Sequence, residues 1–311
     1  MATTGPEDFP ARVTVREVGP RDGFQNEPES IPTSDKVRLI DALARTGLTR
    51  VEVGSFVRAD VIPQLADGAE VLAGIAIPDG VDVAVLVPNQ RGWEAALPHK
   101  DRFDEVIVFL SASETHNVKN INRPVADSLA TVESLLGQVR DAGIRPLASI
   151  ATSFGCPYEG HVDPKRVYEL AGRMAAAGAE EISFGDTTGM ANPRQVRTFY
   201  EEALERLPGV ELTAHFHNTR GSALANALAA LEAGVTSFES SFGELGGCPV
   251  PPGSTGNIAT EDLISMLHEM GVDTGVDLAK LLDASRDVQR VLGRPLGSHV
   301  LTAGPVEWAD E

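Results

Sequence analysis

Along the chain, short runs rich in apolar and β-branched residues alternate with longer segments whose apolar positions recur every three or four residues. Eight of the short runs stand out: residues 12–19 (RVTVREVG), 50–55 (RVEVGS), 81–87 (VDVAVLV), 105–111 (EVIVFLS), 145–153 (RPLASIATS), 180–186 (EEISFGD), 211–218 (ELTAHFHN) and 237–242 (SFESSF). Their length and β-branched content predict strands. The intervening segments carry helix start and stop signals. Pro32, Thr33, Ser34 and Asp35 precede KVRLIDALARTG, with Gly47 as its C-cap, and residues 125–143, 163–178 and 221–234 repeat the pattern.

Alternating strands and helices predict a parallel sheet, and eight such units close a (β/α)₈ TIM barrel. An open, doubly wound sheet is the alternative, but no GxGxxG turn follows the first strand. No low-complexity linker divides the chain, so a single domain over 1–311 is expected. The barrel would occupy about 12–270 and a helical extension 271–311. Within that extension GVDLAKLLDASRDVQRVLG (275–293) reads as an amphipathic helix, packed across the barrel or at a subunit contact.

A net charge of −19 argues against a nucleic-acid partner, because phosphate binding needs a basic surface. No apolar run is long enough to span a bilayer, and the N-terminal stretch lacks the basic and apolar regions of a targeting signal. Two cysteines, Cys156 and Cys248, are too few for a disulfide framework. A cytoplasmic protein is expected, and any anionic ligand must find a locally basic site.

Chemistry-bearing residues gather at the C-terminal ends of the predicted strands, the face on which such barrels build their sites. Strand one leads into GPRDGFQNE with Arg21 and Asp22, strand two carries Glu52, and strand six ends in GDTTG with Asp186. Strand seven places His215 and His217 two apart, so both imidazoles project to one side. The Gly/Pro segment 247–257 (GCPVPPGSTGN) after strand eight supplies Cys248 and Asn257. Asp22, His215, His217 and Asn257 can offer a carboxylate, two imidazoles and an amide oxygen to a divalent ion acting as a Lewis acid. Asn257 alternatively caps the helix that begins IATEDLISML. Arg21 offers a fork of donors to an oxyanion, or an ion pair to Glu52. Between the thiols, Cys156 reads as a buried structural residue and Cys248 as the functional one. After strand four, Lys119, Asn120, Asn122 and Arg123 in ETHNVKNINRP give cationic and amide groups for an anionic tail, or a solvated loop. The other five histidines have no partner signal.

The segments EVGPRDGFQNE, VEVGSF, SETHNVKNIN, GCPYEG, GDTTG, HFHN, ALANALAALEAG, GGCP and TGNIATEDL together resemble the hydroxymethylglutaryl-CoA lyases, a family of metal-dependent barrels. The resemblance runs from about residue 15 to residue 283. It implies Mg²⁺ or Mn²⁺ on Asp22, His215, His217 and Asn257, and a catalytic set of Arg21, Asp22, Glu52, His215 and Cys248. It also implies a homodimer acting on an acyl-CoA thioester, with Lys119, Asn120, Asn122 and Arg123 toward the CoA moiety. Cleavage of 3-hydroxy-3-methylglutaryl-CoA to acetyl-CoA and acetoacetate is the activity implied.

Several positions depart from that family pattern. Asn218 and Arg220 replace an Asp and a Tyr, Glu244 stands where Gly is usual, Val250 replaces an aromatic, and Ala151–Thr152 replace Ser–Cys. Arg220 can then meet an additional carboxylate, and Val250 can widen the acyl pocket. A lyase for a related 3-hydroxyacyl-CoA is therefore a second expectation. A Claisen-condensing acyltransferase of the isopropylmalate synthase type is a third, though such enzymes carry long C-terminal extensions. A silent barrel that only binds an acyl-CoA or a protein is the fourth, and the intact set of reactive side chains argues against it.

Overall fold

A computed structural model describes residues 9–247 and 255–308. Eight parallel strands close into a barrel in sequence order: β1 (Thr14–Glu17), β2 (Arg50–Ser55), β3 (Asp82–Leu86), β4 (Glu105–Ser111), β5 (Arg145–Ala151), β6 (Glu181–Asp186), β7 (Glu211–Phe216) and β8 (Ser237–Ser240). β8 pairs with β1 along Thr14 to Glu17, which leaves no free edge. All eight predicted strands are present, and the predicted ends overrun by a few residues where the chain turns into the rim loops.

The helices in chain order are α1 (Thr33–Leu43), α2 (Gly68–Gly74), α3 (Gln90–Ala96), α4 (Glu114–Ile121), α5 (Val125–Asp141), α6 (Pro164–Ala176), α7 (Pro193–Arg206), α8 (Ala223–Glu232), α9 (Thr260–Glu269), α10 (Leu278–Leu292) and α11 (His299–Ala303). The main apolar core lies between sheet and helices, joining strand residues such as Val51, Val106 and Ile182 to helix residues such as Leu39, Leu136 and Val167. α10 lies along α1, where Asp287 pairs with Arg38 at 3.2 Å. It therefore extends the flank of the barrel rather than crossing it.

Inside the barrel the packing is divided. A small patch is apolar, with Ala84, Ile107 and Leu147 of β3, β4 and β5 in mutual contact. A larger lattice, which draws on β4 and β5 as well, is ionic. Arg16, fully buried, donates to Glu181 at 2.6 and 2.9 Å, to Glu105 at 3.0 Å and to Glu239 at 3.0 Å. Arg50 and Arg145 join the same carboxylates and Glu211 near the N-terminal end of the strands. Barrel interiors are usually filled by branched apolar side chains. Here three arginines face four glutamates, and Glu239 links them to the histidine end of the barrel.

Candidate active site

The first rim turn is built by Gly19–Gly23, where the Phe24 N–H reaches back five residues to the Gly19 carbonyl. This single wide turn directs Arg21 and Asp22 over the barrel mouth; such turns are frequent at functional sites. Glu52, midway along β2, receives the Arg21 guanidinium as a two-pronged fork, at 2.6 Å from Nε and 2.8 Å from an Nη. The other Nη donates to Asp22 Oδ1 at 2.5 Å. Burial raises the Glu52 carboxyl to about 7 even against the Arg21 charge. The fork geometry is nonetheless that of an ion pair, and it fixes the guanidinium plane.

On the opposite side, His215 sits near the end of β7 and His217 just past it. The two Nε2 atoms approach to 3.1 Å, so both rings aim at one point. Each ring is backed at Nδ1: His215 by Glu239 Oε2 at 2.9 Å, His217 by the Thr255 carbonyl at 3.3 Å. Burial disfavours charge on both imidazoles. For His217, burial and the neighbouring ring lower the pKa to about 4. For His215, burial is outweighed by the hydrogen bond and charge of Glu239, and the pKa lies above its ordinary value. Asp22 shows the reverse balance: burial opposes ionisation, but Arg21 and the two histidines hold the carboxyl below the usual range.

Asn257 completes the ring of donors. Residues 256–258 are stitched antiparallel to the end of β7, with Ile258 N on Phe216 O at 2.8 Å and Asn218 N on Gly256 O at 2.9 Å. This pairing points the Asn257 side chain at Asp22, where Nδ2 donates to Oδ2 at 2.8 Å and to the Leu245 carbonyl at 3.1 Å. Its Oδ1 is buried and has no hydrogen-bond partner among the described residues. A buried, unpaired oxygen is costly. Two glycines permit the approach: a Cβ on Gly246 would meet Asn257 Nδ2 at 2.7 Å, and one on Gly256 would overlap the Glu244 carbonyl oxygen at 1.7 Å. The helix-cap alternative for Asn257 is not what forms, because Ala259 occupies the cap of α9.

Ligand atoms from Asp22, His215 and His217 all lie within 4.8 Å of one another. One carboxylate, two imidazoles with Nε2 lone pairs available, and an orphaned amide oxygen form a donor set suited to a divalent cation. The residues present fit such an ion.

A cavity of about 520 Å³ opens above this cluster and runs across the mouth to α4. Arg21, Asp22, His215 and His217 line one end; Lys119 and Asn120 line the other, with Leu86, Ile107 and Phe109 between them. ETHNVKNI is helix α4 rather than a solvated loop, capped by Ser113 Oγ on the His116 N–H. The buried Asn117 side chain ties α4 to Ser111 N, the Arg123 carbonyl and Ser128 Oγ. Asn122 takes the left-handed C-cap conformation at φ 54, and Arg123 turns along α5 to Thr131 Oγ1 at 3.2 Å. Neither lines the cavity, whereas Lys119 and Asn120 do.

Arg220 does not line the cavity; one Nη donates to the Thr188 and Gly189 carbonyls at 2.9 and 2.8 Å, pinning the loop after β6. Asp186 closes the same loop by accepting from the Met190 and Ala191 N–H groups. Asn218 and Glu244 are paired with each other at 2.9 Å. His116, without signal in the sequence, is buried, lines the cavity and meets Ser111 Oγ through Nδ1 at 2.7 Å. Cys156 is fully buried, as read. Cys248 and Val250 lie outside the described residues. No helix among the described residues is long and apolar enough to cross a membrane.

Against known proteins, the family model described as HMGL-like matches residues 12–288. The hydroxymethylglutaryl-CoA lyase of Bacillus subtilis is 47% identical over 293 residues, covering 94% of this chain and 97% of its own. A Pseudomonas aeruginosa protein named 3-hydroxy-3-isohexenylglutaryl-CoA/hydroxymethylglutaryl-CoA lyase is 43% identical over 296 residues, covering 95% and 98%. Among solved structures, an HMG-CoA lyase from Acinetobacter baumannii, in complex with coenzyme A and 3-methylmalate, superposes with a TM-score of 0.91. It is 39% identical and covers 98% of this chain and 97% of its own.

Proposed function

Because the chain belongs to the HMGL-like family, we propose that it is a divalent-metal-dependent carbon–carbon lyase that cleaves 3-hydroxy-3-methylglutaryl-CoA to acetyl-CoA and acetoacetate. The observation that carries this reading is the orphaned Asn257 Oδ1 beside Asp22, His215 and His217, with the Arg21 fork fixed next to them. Mg²⁺ or Mn²⁺ held by these four residues would polarise the substrate's tertiary hydroxyl and acidify its proton. Asp22 is the group placed to take that proton, since the His215 ring, with Nε2 given to the metal and a proton on Nδ1, has no lone pair left. As the oxygen becomes a carbonyl, the bond between C3 and the thioester's α-carbon breaks, and its electron pair passes to the thioester as an enolate.

Arg21 answers that charge. Its guanidinium is immobilised by Glu52 and Asp22 before substrate arrives, so little reorganisation is needed to meet the enolate oxygen. The enolate carbon then takes a proton, for which the sequence points to Cys248. Atoms balance: one proton leaves the hydroxyl and one reaches the methyl carbon. Lys119 and Asn120, at the far end of the cavity, suit the polar and anionic CoA portion. A cytoplasmic homodimer remains the expectation from sequence.

The reading is tested by running the reaction in D₂O with Mg²⁺. Acetoacetate and acetyl-CoA should form in equal amounts, with one solvent deuterium in the acetyl methyl group. Free CoA as the product would instead indicate thioester hydrolysis and refute the lyase reading. A second acyl group has one observation in its favour: the wall beside Phe109 is made of small residues, Ser149, Ala151 and Gly185. A longer 3-alkyl substituent should therefore be tolerated with a modest change in KM, which competition between the two thioesters would measure.

A further inference from the structure

Glu239, on the inner face of β8, collects three donors. Oε2 accepts from Ser183 Oγ at 2.8 Å and faces His215 Nδ1 at 2.9 Å, while Oε1 accepts from the Arg16 guanidinium at 3.0 Å. The carboxylate is 7% exposed and Arg16 1%. Arg16 in turn is anchored by Glu105 and Glu181. A chain of contacts therefore runs from the ionic interior of the barrel up to one of the proposed metal ligands.

The chemistry of that contact is one-directional. An ionised carboxylate only accepts hydrogen bonds, so the proton between Glu239 and His215 belongs to Nδ1. A neutral imidazole with Nδ1 protonated has its lone pair on Nε2, which is the atom directed at the cluster. His217 reaches a similar state by a weaker route, with a neutral carbonyl at 3.3 Å behind its ring. Of the two rings, His215 has the charged acceptor and hence the more basic Nε2.

We propose that Glu239 is a positioning residue for the metal centre, setting the tautomer and orientation of His215, and that Arg16 holds Glu239 in place from within the barrel. The proposal rests on the metal reading above, and its test needs no acyl-CoA. Mn²⁺ affinity is measured by the electron paramagnetic resonance signal of free ion, for the native protein and for Glu239→Gln. The amide is nearly isosteric, but cannot accept from Arg16, Ser183 and His215 at once. Affinity should fall about ten- to a hundredfold, with the far-ultraviolet circular dichroism of the barrel unchanged. Unchanged affinity in a folded variant would overturn the proposal while leaving the metal reading intact. A native protein that binds no Mn²⁺ would overturn both.

A second measurement avoids substitution altogether. In ¹⁵N-histidine-labelled native protein with Mg²⁺, His215 should show the Nδ1–H tautomer in long-range ¹H–¹⁵N correlation spectra. A proton on Nε2 of His215 would refute the assignment even if Glu239→Gln fails to fold.

Discussion

Arg21 illustrates how individual side chains are committed before any ligand arrives. Three of its nitrogens are taken up by Glu52 and Asp22, so its orientation is fixed by the turn after β1 and by the middle of β2. Arg21→Ala should lower kcat by about 10²–10³, the usual cost of losing one oxyanion donor, with a much smaller effect on Mn²⁺ binding. Retained kcat in steady-state assays would remove Arg21 from the reaction. At this scale the sequence was informative where residue type and spacing both constrain: Arg-Asp-Gly, His-x-His and the asparagine nine residues after Cys248. It was silent on Glu239 and Arg16. Alternation marks them as inward-facing, yet no local pattern says that strands one and eight bring them together beneath a histidine.

Among the elements, the pairing of residues 256–258 with the end of β7 matters most, because it aims Asn257. Gly256→Ala would drive a methyl into the Glu244 carbonyl. Overpacking of this kind costs roughly 1–3 kcal/mol. Since the strain is local, it should appear as weakened Mn²⁺ binding together with a lower Tm, and a variant normal in both would contradict the account. A second junction joins β1 to the end of β8 and to α9. Glu17 accepts from Gly19 N, Phe242 N and the Thr260 hydroxyl, yet burial raises its pKa from 4.5 to about 8.

The folded state therefore holds this proton more tightly than the unfolded chain does. The resulting stabilisation is complete below about pH 4.5 and disappears as the pH rises toward 8. Tm of the metal-free protein should fall between about pH 4.5 and 8, and fall less in Glu17→Gln; identical profiles would sink this assignment. Helix α4 shows why an element can escape a sequence reading. Its eight residues carry little apolar periodicity, and Ser113 and Asn117 fix it through polar side-chain contacts that only the folded chain reveals.

For the molecule as a whole, the eightfold alternation made the closed barrel legible, because apolar runs of strand length separated by capped helices leave few other parallel arrangements. The division of its interior was not legible. The charged residues come from every strand but β3, and Glu239 joins this lattice to the histidine side of the site, while Ala84, Ile107 and Leu147 of β3 to β5 form a small apolar patch. Such a buried lattice is held by mutual pairing rather than by any one contact. Arg16→Met should leave Glu105, Glu181 and Glu239 without their shared cation and cost about 3–5 kcal/mol, seen as a lower urea midpoint. An unchanged midpoint would mean that the lattice is not what organises the barrel floor. The overall charge of −19 is compatible with an anionic thioester because Arg21 and Lys119 mark the two ends of the cavity.

The central claim, metal-dependent cleavage at this rim, is tested most directly by acetyl-CoA release from 3-hydroxy-3-methylglutaryl-CoA. Purified protein would be assayed after chelation, after restoring Mg²⁺ or Mn²⁺, and as His217→Ala. The account predicts turnover that vanishes on chelation, returns with metal and is largely lost in the variant. Turnover that survives chelation, or that His217→Ala leaves intact, would contradict it.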